Sequence, residues 1–261
     1  MIGKIKTVAS LKERDIEQMF HLFNTYYVNV SLDVFKKDIS EKKHILLAYD
    51  QNRVIGFTTI REMTLRHKSG KSTKGLFSGD TVIEKSYWGR TPLRTLFVWY
   101  IWRYKLRHPF SSVYWFLITK GYKTYLILAH NFKVFYPRFD QPMPDKIKEC
   151  IDLYGSELSP QGYNPGTGLI QGQQSKDRLA EGVAPIPGKL TQQNPHVAFF
   201  EKANPHWEQG DELVCVGELS LLQPFRFFTK VLRRRLFRWK PELAKSIESR
   251  EWSSTQGPRL P

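Results

Sequence analysis

Residues 84–97 read EKSYWGRTPLRTLF. A strand-like stretch, GLFSGDTVI at 75–83, runs into them, and a strongly apolar one, LFVWYIW at 96–102, runs out. The segment is a strand that becomes a helix through a turn with one glycine. Thr91 suits the N-cap, and Pro92 suits the first helical position, where a missing N–H costs nothing. His108-Pro109 ends the helix near Arg107. A strand feeding a helix start offers unpaired N–H groups and the positive end of the helix dipole, which together attract an anion. Gly89 lets the backbone approach a ligand, and Arg90 and Arg94 add charge-assisted bonds to phosphate oxygens. The plainer alternative packs Tyr87 and Trp88, uses Gly89 only to turn the chain, and leaves the arginines in water. The P-loop and the triple-glycine dinucleotide fingerprint are both missing.

Outward from this turn the chain alternates strands and helices. Lys4–Val8 reads as a short edge strand. Ser10 with Glu13 resembles a capping box opening a helix through Ile16, Met19, Phe20 and Phe23, and Ser31 caps a second helix. HILLAYD at 44–50 and VIGFTTIREM at 54–63 read as a hairpin, followed by a basic loop at 66–74 and the strand at 75–83. After the helix come a buried strand at 113–118, a helix from Gly121 to about His130, and a strand at 132–136. This order predicts an α/β (α+β) fold, a mixed and mostly antiparallel sheet flanked by helices, with a βαβ unit in its second half. The apolar helix after Pro92 is expected to be buried on more than one side.

The element order and the segment SYWGRTPL resemble the GNAT superfamily of acyl-CoA N-acyltransferases. Its signature at this turn is Gln/Arg-x-x-Gly-x-Gly/Ala, with Gly89 on the central glycine. Thr91 and Leu93 stand where glycine or alanine is usual, and Trp88 stands near the usual polar residue. The resemblance spans about residues 4 to 136, plus 212–219 as a last strand. It implies that the fourth and fifth strands, 76–83 and 113–118, splay apart to admit a pantetheine arm. Its phosphates would lie on the turn, with Val82, Gly89, Arg90, Thr91, Leu93, Arg94 and Asn131 as the cofactor-binding set. It also implies an acyl-CoA or acyl carrier protein thioester as co-substrate and direct attack by an amine acceptor, a small molecule or a peptide. Asp80 is the first candidate base, with Ser78 expected on the same face by strand alternation. Glu84 is the second. Tyr125 is a candidate for the acid, and His130 for acid or base.

Beyond Pro137 the texture changes, and four segments follow: a core at 1–140, an insertion or lid at 141–211, a last strand with a basic amphipathic helix at 212–240, and a disordered tail at 241–261. A helix is expected at 144–154 and a short one at 176–181. Asn194-Pro195-His196 and Asn204-Pro205-His206 read as two helix starts rather than a metal site. Cys150 and Cys215 lack metal-ligand spacing, so no metal is expected. FRFFTKVLRRRLFRWK at 225–240 carries seven basic and no acidic residues. Such a helix suits an anionic membrane surface or an acidic acyl carrier protein. The net charge of +15 favours anionic partners in general. Nucleic acid qualifies by charge, but no nucleic-acid-binding motif is present. The N-terminus has no apolar signal core, which with two isolated thiols predicts a cytoplasmic protein, soluble or peripheral at a membrane. The alternatives to an N-acyltransferase are a non-catalytic lipid- or acyl-carrier-binding protein of the same fold and a nucleic-acid-binding module.

Overall fold

The computed structural model describes residues 1–171, 178–180, 185–222 and 229. In chain order the elements are β1 (Ile2–Thr7), α1 (Glu13–Tyr26), β2 (Tyr27–Val28), α2 (Leu32–Ser40), β3 (His44–Asp50), β4 (Arg53–Arg66), β5 (Ser72–Ile83) and α3 (Leu93–Arg107). They continue with β6 (Val113–Thr119), α4 (Tyr122–Asn131), β7 (Phe135–Tyr136), α5 (Asp145–Leu158), β8 (Tyr163–Asn164), β9 (Leu169–Ile170), β10 (Arg178–Leu179), α6 (Gly188–Gln193), α7 (Pro195–Ala203) and β11 (Glu212–Glu218).

The main sheet runs β1-β3-β4-β5-β6-β11-β9-β8, with β7 also on β11. Among the described residues only β5 and β6 pair in parallel, because α3 carries the chain back across the sheet between them. One face packs α3, α4 and α7 on Leu46, Leu76, Trp115 and Leu117. On the other face, α1 and α2 cover Ile45, Leu47, Phe57 and Val82. There α5 covers Met63, Phe77, Phe116 and Val214. The chain between β7 and β11, which pair directly, thus supplies helices to both faces.

Several expectations need correction. Ser10 does not open α1: its hydroxyl bonds back to Thr7 O inside a short 3-10 turn. The helix starts at Glu13, where the Asp15 carboxylate accepts from the Lys12 backbone N–H at 3.1 Å. The basic loop is shorter than expected, since β4 runs to Arg66 and β5 begins at Ser72. The strand at 132–136 contracts to Phe135–Tyr136, because the α4 ladder still holds the Phe132 N–H. Within the helix expected at 176–181, Arg178–Leu179 is a strand, paired with β2. Asn194 caps α7 as read, accepting from His196 N, but Asn204 turns its amide to Asp211 O and the chain makes only a 3-10 turn. Finally, α3 is buried along Leu93, Tyr100, Ile101 and Tyr104 only, while Trp99 and Leu106 are exposed. The insertion's α7 packs on α4 instead, with Phe199 and Phe200 against Tyr125. The helix expected at 225–240 and the tail at 241–261 lie outside the described residues, apart from Thr229.

Candidate functional site

The turn after β5 is open and braced. Tyr87 O–H donates to Asp50 at 2.8 Å, and the Trp88 indole N–H donates to Ile83 O at 2.8 Å. The Lys123 ammonium lies 4.8 Å from the Trp88 ring centre. Gly89 has φ +75°, a left-handed conformation that L side chains rarely adopt, and open space surrounds its Cα. Pro92 is already helical in its dihedrals and no side chain caps α3, so Thr91 does not fill its expected capping role. The N-cap residue of α3, Pro92, offers no side-chain acceptor to the first turn. The Arg94 guanidinium donates to Asn131 Oδ1 at 3.1 Å, which joins the start of α3 to the end of α4. Arg90 is exposed, Thr91 is half-buried, and Leu93 is part of the core.

The ladder between β5 and β6 is short. Lys74 pairs with Val113 and Phe77 with Phe116, and there pairing stops, although β5 runs on to Ile83 and β6 to Thr119. The strands part on the side that leads to Gly89. The same stretch of β5 is irregular on its other edge. Thr58 pairs with Thr81, but Ile60 pairs with Ser78, so β5 holds one extra residue in a bulge at Gly79–Asp80. The bulge breaks the two-residue alternation. Ser78 accepts from the Trp115 indole at 2.7 Å on the α3 face. Asp80 falls in step with Val82, which packs under α1 and α2. Asp80 therefore does not share Ser78's face, contrary to the reading from alternation alone. It is half-buried where the strands diverge.

Three polar groups at this bulge were not visible in the sequence. A Cβ on Gly79 would lie 2.5 Å from Thr59 Oγ1 and 3.4 Å from Lys42 Cε, so both reach over the glycine. Thr59 Oγ1 is buried and has no hydrogen-bond partner. The Lys42 side chain is 4% exposed, with its ammonium on Asp38 at 2.6 Å. Tyr154 of α5 stacks on Phe116 with ring centres 4.6 Å apart, and its buried hydroxyl also lacks a partner. Burial holds that phenol well above its ordinary pKa. Unpaired buried hydroxyls are expensive to keep. The signal for all three is register, which no single-residue pattern carries.

The other candidates lie apart. Glu84 is bound by Arg53 and accepts from Ser86 at 2.7 Å, and the Arg53 contact holds its carboxyl below the usual range. Tyr125 is fully buried and donates to Pro137 O at 2.9 Å, and burial raises its pKa far above neutrality. His130 is exposed at the end of α4, with its ring 6.1 Å from that of His196. Cys150 and Cys215 are buried free thiols.

No protein-family model matches the sequence, and no curated protein matches it. Distant likenesses exist among solved structures. An Enterococcus faecalis protein described as a probable N-acyltransferase aligns at 11% identity and TM-score 0.37, over 49% of this chain and only 31% of its own. Escherichia coli ElaA aligns at 13% identity and TM-score 0.35, over 53% of this chain and 93% of its own. An aminoglycoside acetyltransferase from an uncultured soil metagenomic sample aligns at 12% identity and TM-score 0.37, over 55% of this chain and 100% of its own. Likenesses this distant say nothing about substrate. The chain's own strands show an antiparallel β1-β3-β4-β5 run, a parallel pair that splays, and a glycine turn into a helix whose N-cap residue makes no side-chain cap, the arrangement expected from the sequence.

Proposed function

We propose that this protein moves an acyl group from a thioester, of CoA or of an acyl carrier protein, to an amine. The observation that carries this reading is the parting of β5 and β6 after Phe77 and Phe116, beside a helix start with no side-chain cap. Free strand edges suit the amides of a pantetheine arm, and the helix start with Arg90 and Arg94 suits its phosphates. The amine nitrogen attacks the thioester carbonyl carbon. A C–N bond forms, the C–S bond breaks, and the thiolate leaves and takes a proton from water. Asp80 accepts the proton that the amine loses. Thr59 and Lys42 lie over the bulge and supply donors for the negative charge on the carbonyl oxygen. Tyr125 takes no part, since its hydroxyl is spent on Pro137 O in the core.

The test is thermal shift and intact-mass measurement with acetyl-, octanoyl- and palmitoyl-CoA and free CoA, followed by thiol release with a panel of amines. Binding that Gly89→Glu abolishes, together with amine-dependent thiol release, is the expected result. No response to any CoA or to an acyl carrier protein would overturn the reading. The locked Tyr125 favours one second reading, a carrier- or lipid-binding protein without chemistry, which would bind CoA and release no thiol.

A further inference from the structure

We infer that the outer side of α3 and the turn after it dock this protein on an anionic lipid surface. Residues 99, 103 and 106 fall at helical spacings of four and three, so they mark one stripe of α3, and Phe110 is exposed in the turn just past the helix end. Trp99 is 43% exposed, Leu106 46% and Phe110 102%. The Arg103 guanidinium lies over the Trp99 ring at 5.2 Å from its centre. The opposite side of the helix is committed to the core through Leu93, Tyr100, Ile101 and Tyr104.

The projecting tip is built. The Lys105 ammonium donates to Pro109 O at 3.2 Å and to Ser111 O at 2.7 Å. Ser111 N–H donates to His108 O, and the His108 ring packs edge-on against Tyr104. These contacts fold the turn so that Phe110 stands in water with nothing beside it. A fully exposed phenylalanine held out by a braced turn gains nothing for folding, and several such side chains on one surface mark an interaction site.

Charge selects the partner. Residues 93–112 hold Arg94, Arg103, Lys105 and Arg107 and no acidic side chain. By sequence, the segment at 225–240 carries seven basic and no acidic residues, which adds to the chain's attraction for an anionic surface. The stripe presents aliphatic and aromatic groups between cations. That pattern suits the headgroup–acyl boundary, where tryptophan and arginine lie at the interface and leucine and phenylalanine enter it. A nucleic acid would use the cations and leave Leu106 in water. No described helix is long and apolar enough to cross a membrane, so the contact is peripheral as far as these residues go. The inference does not depend on acyl transfer.

The test is flotation of the full chain with vesicles of phosphatidylcholine alone and of phosphatidylcholine with phosphatidylglycerol. Wild type is expected to float with the anionic vesicles, less so as salt rises, and its tryptophan emission should shift to the blue. The double variant Leu106→Ser, Phe110→Ser touches only exposed side chains, so its melting temperature should match wild type while its partition falls at least tenfold. Vesicle binding unchanged in that variant would place the contact elsewhere and overturn the proposal. So would wild type that ignores anionic vesicles at low salt, or binding that a short RNA abolishes equally in both proteins.

Discussion

The turn at Gly89 and the bulge at Gly79–Asp80 lie ten residues apart on one strand and its exit, and they are made in opposite ways. The turn is uncrowded at its glycine. A residue at φ +75° and a proline set for the helix shape it, with Asp50 and Lys123 bracing its aromatic side chains from outside. The bulge is imposed from outside. Thr59 and Lys42, from a neighbouring strand and from the end of α2, occupy the space where a side chain at 79 would stand. The two irregularities also hold their polar groups differently: the turn leads into a helix with no side-chain cap from its N-cap residue, while the bulge keeps a buried hydroxyl without a partner. A ligand's phosphates can be drawn to the first. Only the second can arrange chemistry out of water.

The contrast can be broken most sharply at the two carboxylates that flank it. Asp80→Asn should lower amine-dependent thiol release by roughly 100-fold or more, the usual scale for a lost general base. Glu84→Gln should leave it near wild type, because that carboxylate is already held by Arg53. Equal losses in steady-state assays would erase the distinction between bulge and turn. The glycines give the next effect. Gly79→Val forces a side chain against Thr59 and should cost about 1–3 kcal/mol of stability, as overpacking does. Gly89→Ala meets no neighbour and should cost about 1 kcal/mol, from its backbone conformation alone. Denaturant unfolding of both variants measures the difference, and a reversed order would show that the bulge is not crowded. The smallest effect sharpens the argument most. Thr59→Val removes an unpaired buried hydroxyl and should raise stability by up to ~1 kcal/mol while thiol release falls. A variant both more stable and fully active would leave Thr59 without a role.

What the sequence disclosed follows the same division. The apolar runs HILLAYD and VIGFTTIREM with the turn between them, and the Gly-Arg-Thr-Pro turn, are local signals, and β3, β4, β5 and α3 formed there, with β4 and β5 longer than read. The splay of β5 from β6 came from the resemblance and is visible in the ladder that stops at Phe77. Asp80 was singled out correctly as lying on β5, but its face was misjudged, since one extra residue against β4 shifts everything beyond it. Ser10 looked like a cap because the spacing to Glu13 was right, yet Asp15 does that work, held by Lys6 at 2.6 Å and by Tyr49 at 2.9 Å from distant strands. The apolar run of α3 suggested burial on more than one side, when Trp99 and Leu106 face water. Apolar composition does not say which apolar side chains the fold will cover.

The rung that joins Phe77 to Phe116 has a consequence for length. Tyr154 stacks on Phe116 and lies with its ring centre 5.7 Å from that of Phe77, so three rings cluster where the strands meet. On the proposed reading, an arm entering from the Gly89 end would run beside Ile83 and Thr81 and would meet the closed ladder at Phe77, so the ring at position 154 would back the point where its path ends.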